Sequence, residues 1–179
     1  LNDKHNKGRR PVSDHPATRP EISSLNEKFM RRAIALSIQG IEAGDGGPFG
    51  AVVVKDGSIA GEGWNRVIAT NDPTAHGEIV AIRDACSRLN TFELAGCDIY
   101  TTGEPCPMCL TAIYWARMRR IFFGFTIEDA ENIGFDDNCF YREINKSRQD
   151  RSIQAIQLLK DEAMQVARRY VQMPDRTLY

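Results

Sequence analysis

Apolar residues recur at helical spacing through Phe29, Met30, Ala33, Ile34, Ile38 and Ile41, and Gly44 follows as a stop, so the pattern predicts an amphipathic helix. Ser24 and Glu27 are placed to form a capping box at its start. The period then changes. Residues 50–68, GAVVVKDGSIAGEGWNRVI, hold two β-prone runs joined at Asp56-Gly57, a strong hairpin signal. Helical spacing returns over about 74–88. CDIYTT reads as a strand, PMCLTAIYWARM as a helix and RIFFGF as another strand. Past Thr126 the pattern predicts a short acidic helix, an irregular stretch around GFDDNCFYREINK, a strand near 152–158 and a last helix from about 160 to 172. That last helix carries an apolar stripe, Ala163, Val166 and Tyr170, which needs something to pack on. Residues 1–23 are polar and proline-spaced with no apolar period, and are expected to be a solvated tail before one domain over 24–179.

This order predicts a three-layer α/β/α domain around a mixed five-stranded sheet. The first hairpin is antiparallel, and the later strand–helix–strand unit should be parallel and right-handed. Composition leaves that picture intact: of 179 residues, 42% are apolar and 26% charged, enough for one well-buried domain. A formal net charge of −1 removes any global attraction to nucleic acid or anionic membrane, so neither is expected as a partner. No uncharged apolar run approaches the ~18 residues that would indicate a membrane span, and the N-terminus lacks the apolar core of a secretory signal.

The chemistry begins with the five cysteines, an odd count with two of them in PCPMC. That spacing indicates metal binding in a reducing cytoplasm rather than a disulfide framework. Cys106 and Cys109 are three apart, on one face of a helical turn. Pro107 suits the first helical position and biases Cys106 towards the cap, where the helix dipole favours thiolate. Of the three histidines, His5 and His15 fall in the predicted tail, so an imidazole from the ordered part must come from His76 in NDPTAHGEIVAI. His76, Cys106 and Cys109 make a Cys₂His set suited to one Zn²⁺ per subunit, with a fourth position for water or hydroxide. Zinc there would lower the pKa of its water and supply hydroxide near neutral pH. A lone CxxC reads equally as a redox pair or a zinc staple, and a lone histidine beside an apolar run is more often a core residue. Glu78, two positions after His76, weakens both readings. A closed structural site would need Cys97 or Cys139, which lack zinc-like spacing; these and Cys86 read as small buried hydrophobes.

Together these residues match the H-x-E…P-C-x-x-C signature of zinc nucleobase deaminases, and the chain resembles the cytidine-deaminase-like superfamily. The resemblance implies that Glu78 is no ligand but a proton shuttle between water, a ring nitrogen and the leaving amine. The chain is more closely similar to the superfamily's guanine deaminases, over about 27–179, through GGPFGAV, NDPTAHGE, EPCPMC, AIYWAR, GFDD and the terminal LY. This implies a C–N hydrolase that converts guanine to xanthine and ammonia in purine catabolism or salvage.

The same resemblance implies roles for particular residues. Phe49 and Trp115 become aromatic walls, Asn65 an amide partner for the purine, Asp137 a base contact and second proton carrier, and Tyr179 a closing residue. From residue type alone, Phe49 and Trp115 read as core aromatics and Asn65 and Asp137 as turn or cap residues, and either Asp136 or Asp137 could face the base. The resemblance also implies a homodimer whose C-terminal segment, about 135–179, is exchanged to cover the partner's site; a helix folded back on its own domain is the alternative.

Related substrates are guanosine and other aminopurines or aminotriazines. A tRNA adenosine deaminase is disfavoured by Phe49, GFDD and the near-neutral charge, and a zinc-stabilised interaction module by Glu78. The superfamily usually has alanine where this chain has Gly77. Since glycine in a helix costs ~0.5–1 kcal/mol against alanine, Gly77→Ala is expected to keep activity and raise stability.

Overall fold

The computed structural model describes residues 23–178, so Tyr179 and the expected tail through residue 22 lie outside the described residues. The chain divides into two units, one spanning residues 22–152 and the other containing residues 153–179.

In the first unit, helix α1 (Ser24–Glu42) starts one residue earlier than its sequence suggested. Ser23 is the cap, its backbone N–H and hydroxyl both donating to Asn26 Oδ1 (3.0 and 2.7 Å). Glu27 pairs instead with Arg31 one turn on (2.8 Å). The buried face of α1 is Phe29, Ala33, Leu36, Ser37 and Gly40. The isoleucines 34, 38 and 41, expected in that stripe, remain 44–47% exposed. Small side chains let the helix backbone approach the sheet, and the larger isoleucines flank that contact.

Strands β1 (Gly50–Lys55) and β2 (Ser58–Trp64) form the expected antiparallel hairpin, with a bulge between Val53 and Val54. Asp56 and Gly57 both take positive φ (48° and 75°), as a tight two-residue hairpin turn demands. After the short helix α2 (Val67–Thr70) come α3 (Gly77–Leu89), β3 (Asp98–Gly103), α4 (Pro107–Trp115) and β4 (Arg120–Phe125). The strand order is β2-β1-β3-β4; β1 and β3 are antiparallel, β3 and β4 parallel.

Period-two alternation sends Val52, Val54 and Tyr100 towards Phe29, Ala33 and Leu36 of α1. It sends Ala51, Val53 and Ile99 into a second core with Ala81 and Ala85 of α3 and Ile113 of α4. These are the three expected layers. Glycine is required where α3 crosses β2: a Cβ at Gly63 would lie 2.5 Å from the Ala81 backbone nitrogen.

Helix α5 (Ile127–Asn132) is the acidic helix of the sequence, capped reciprocally by Thr126 and Asp129. The stretch expected to be irregular contains a further helix, α6 (Asn138–Asn145), none of whose residues is buried. A 3₁₀ turn at Arg148–Asp150 follows.

The second unit contains α7 (Lys160–Gln172), at its expected position. The strand expected near 152–158 does not form, so the sheet has four strands among the described residues rather than five. An apolar, β-prone run becomes a strand only when a neighbouring backbone supplies hydrogen-bond partners, which periodicity cannot provide. Ile156, Leu158 and Val166 are 71–78% exposed. Among the described residues no helix is long and apolar enough to cross a membrane.

Candidate active site

The turn before α3 is built by Asp72, whose Oδ1 accepts from the Thr74 N–H (2.8 Å) and hydroxyl (2.7 Å). This delivers His76 in extended conformation (φ −68°, ψ 154°) as the N-cap of α3. His76 is therefore outside the helix body, and Glu78 lies in the first turn. Cys106 is likewise the N-cap of α4 (φ −63°, ψ 166°), Pro107 occupies the first turn, and Cys109 follows within the helix. Two helix N-termini thus converge, and their positive ends favour thiolate.

His76 Nδ1 stands 3.6 Å from Cys106 Sγ and 3.6 Å from Cys109 Sγ. The three ligand atoms lie within 4.8 Å of one another. For tetrahedral zinc with its usual Zn–S and Zn–N bond lengths, the N···S edge is about 3.6 Å, so the donor set fits the metal in both chemistry and spacing. A hydrogen bond from the Cys109 thiol, and another from His76, hold Cys106 at about 4, a thiolate at neutral pH. The Cys109 thiol is pushed up by its hydrogen bond to Cys106 and by burial. His76 is raised by its hydrogen bond to Cys106.

Glu78 is buried (4% exposed), and its lost hydration, with the Cys106 sulfur nearby, outweighs the pull of His76 and its hydrogen bonds, so its carboxyl is pushed up to about 7. It opens onto a cavity of about 390 Å³ that also receives Phe49, Asn65, Glu104, Phe135 and Asp137. Asn65 is buried, its backbone N–H donating to Phe49 O (2.7 Å) and its Oδ1 accepting from Val67 N–H (3.2 Å). Of the two aspartates, Asp137 lines the cavity, whereas Asp136 Oδ1 accepts from the Cys139 N–H (3.0 Å) at the start of α6. Burial raises the Asp137 carboxyl, and the nearby Cys106 sulfur adds to the shift.

The aromatic walls differ from expectation. Phe49 is in place, and its partner is Phe135, set edge-on at 4.9 Å. Trp115 does not line this cavity. It is 61% exposed and faces an apolar groove of about 690 Å³ with Met108, Phe140 and Ile144. The reason is helical phase: Cys109 and Ile113 take the buried face of α4, and Trp115 is turned away from it. The groove and the cavity share Pro73, His76, Cys106 and Asp137. Phe135 and Glu104 escaped the sequence reading although both stand in quoted motifs, GFDD and EPCPMC; nothing in those motifs indicates which neighbours face inward.

The family model for the cytidine and deoxycytidylate deaminase zinc-binding region matches residues 23–125, which include His76, Glu78, Cys106 and Cys109. The guanine deaminase of Bacillus subtilis (strain 168) is 52% identical over 128 residues, spanning 72% of this chain and 82% of that protein. The X-ray structure of guanine deaminase from Bacillus subtilis superposes with a TM-score of 0.82 at 46% identity, covering 86% of this chain and 98% of that one. A tRNA-specific adenosine deaminase of Haemophilus influenzae is 40% identical over 121 residues, 64% of this chain and 69% of that protein. Two converging helix N-termini, a donor set spaced for tetrahedral zinc and these matches lead to one assignment: the chain belongs to the cytidine and deoxycytidylate deaminase family of zinc-dependent hydrolases.

Proposed function

We propose that this enzyme hydrolyses guanine to xanthine and ammonia, with His76, Cys106 and Cys109 as the zinc ligands. The observation that carries the reading is one cavity in which a buried Glu78 adjoins the ligand triad while Asp137 and Asn65 line the wall. The similar Bacillus subtilis protein is a guanine deaminase, which favours the same base. Zinc, when bound, acts as a Lewis acid that makes a water ionisable near neutral pH.

The chain's own groups do the rest. Asp137, an acceptor when ionised, suits the ring N–H and amine donors of guanine. With Asn65 Oδ1 accepting from Val67, the Asn65 amide offers its NH₂ donors to the purine's acceptors. Phe49 and Phe135 present apolar surface to a flat ring and exclude bulk water. Glu78 accepts a proton from the attacking water as the C–O bond forms at the amino-bearing carbon, and gives it to the ring nitrogen. It then takes up the proton left on the newly added hydroxyl and passes it to the amine as the C–N bond breaks and the carbonyl forms, so one water is consumed and one ammonia leaves. Burial beside the ligand triad places the Glu78 carboxyl where it can take up a proton and return it.

The active form in this reading is a homodimer, with the C-terminal segment from about 135 to 179 closing the site and Tyr179 at its end. The exposed apolar side chains of residues 156–166 support it, since surface of that kind ordinarily finds a partner. None of the five cysteines is in a disulfide, the state a reducing cytoplasm maintains. The test is ammonia release by zinc-loaded protein from guanine, guanosine and an adenosine-containing stem-loop. Guanine should be the preferred substrate, and Asp137→Asn should cripple its turnover. Faster release from the stem-loop would overturn the assignment in favour of tRNA deamination.

A further inference from the structure

Asp137 stands at the head of α6, a helix without a buried residue. Some of the limb's bonds run back to α5: Phe135 N–H donates to Ala130 O (2.9 Å) and Asn138 Nδ2 to Glu131 Oε2 (2.7 Å). A different bond reaches the metal-ligand loop, where the Tyr141 hydroxyl donates to the carbonyl oxygen of Pro105 (3.0 Å), the residue before Cys106. Tyr141 lies four residues after Asp137, and its backbone N–H bonds to Asp137 O (3.4 Å). Residues at that spacing rise from one helix face, so the tether and the carboxylate share a side of α6. Phe140 and Ile144, three and seven residues after Asp137, line the apolar groove that Asp137 also borders.

We propose that Tyr141 is a positioning residue whose hydroxyl, anchored on the Pro105 carbonyl, sets Asp137 at its height over the His76–Cys106–Cys109 centre. The phenol ring is a rigid arm, and its hydroxyl, protonated at neutral pH as any tyrosine's is, donates along that arm to Pro105 O. Without the bond, α6 keeps its helical form but loses its register against the ligand loop, and the carboxylate moves relative to the bound base. Displacements of about 1 Å at a reacting centre can cost up to about a hundredfold. The inference rests on the reading of Asp137 as a group that contacts the base.

The test compares full-length zinc-loaded protein carrying Tyr141→Phe, Asp137→Asn or both. Tyr141→Phe removes one oxygen and keeps the ring. It should lower kcat/KM for guanine by about tenfold, carried mainly by KM, with zinc content and Tm unchanged. In the Asp137→Asn background the same change should cost at most about twofold, because the group it positions is already disabled. If Asp137→Asn turns guanine over normally, the base-contact reading fails and the inference with it. If Asp137→Asn is crippled while Tyr141→Phe is normal, or the two losses multiply, the positioning role alone is overturned. Loss of zinc, or a fall in Tm accounting for the deficit, would also overturn it.

Discussion

A methyl group added at residue 77 would lie 2.9 Å from the Phe49 carbonyl oxygen and 3.4 Å from Gly50 Cα. Both obstacles are backbone, so α3 or β1 must shift, and the shift passes to Phe49, a wall of the cavity. The helix-propensity argument that favoured alanine there is therefore outweighed by overpacking. Gly77→Ala should lower stability by about 1–3 kcal/mol and raise KM for guanine, and thermal unfolding beside initial-rate kinetics would show both. At the next residue the expectation concerns charge. Burial lifts the Glu78 carboxyl from 4.5 to about 7, so the folded chain holds this proton more tightly than the unfolded chain does. Stability from the group is complete below about 4.5 and is lost as pH rises through about 7. In zinc-stripped protein, Glu78→Gln should therefore unfold at a higher temperature than the parent at pH 8, with the gap closing as pH falls towards 5. With zinc restored, the same variant should retain metal and lose guanine turnover by several orders of magnitude.

At the scale of elements, the open question is what fixes β3, whose C-terminal end carries Glu104, Pro105 and Cys106 into the site. Its first residue, Asp98, is buried and accepts paired hydrogen bonds from Arg119 (3.0 and 2.9 Å) and Arg120 (3.1 and 2.6 Å) at the start of β4. Burial alone would raise this carboxyl, but the two guanidiniums outweigh it and hold it below 3.8. The resulting stability is present above about 3.8 and is lost as pH falls through the lower folded value. Asp98→Asn should cost about 2 kcal/mol at pH 7, and denaturant titrations should show that cost shrinking in acid. A cost independent of pH would assign it to packing instead.

The elements also show where sequence patterns run out. The hairpin at Asp56-Gly57 and the β3–α4–β4 crossover were legible because turn chemistry and period are local signals. Helix α6 was hidden because Gly134, Asp136, Asp137 and Asn138 crowd its start with turn formers and the helix is only eight residues long.

For the whole molecule, the described residues that line the cavity run from Gly46 to Asp137, while the proposed closing residue, Tyr179, lies outside the described residues. If the C-terminal segment closes the site of a partner, two defective chains should repair each other. A chain ending at Ser152 and a full-length Glu78→Gln chain should each be inactive towards guanine. Refolded together they should recover turnover, since the shortened chain contributes an intact Glu78 and the other contributes the segment. A mixture that forms dimers but stays inactive would assign the segment to its own chain's site.

By itself the sequence determined what depends on neighbours along the chain. His76, Glu78, Cys106 and Cys109 are close in sequence to the helix starts that aim them, so a candidate metal set could be read from spacing, while the role proposed for Glu78 came from the family resemblance. Only the tertiary structure decided which aspartate of GFDD faces the cavity, that Phe135 rather than Trp115 stands opposite Phe49, and that four described strands form the sheet. It also reversed the sign expected for a methyl group at Gly77. Each of these depends on helical phase or backbone approach between distant segments, and such distances are set by packing rather than by pattern.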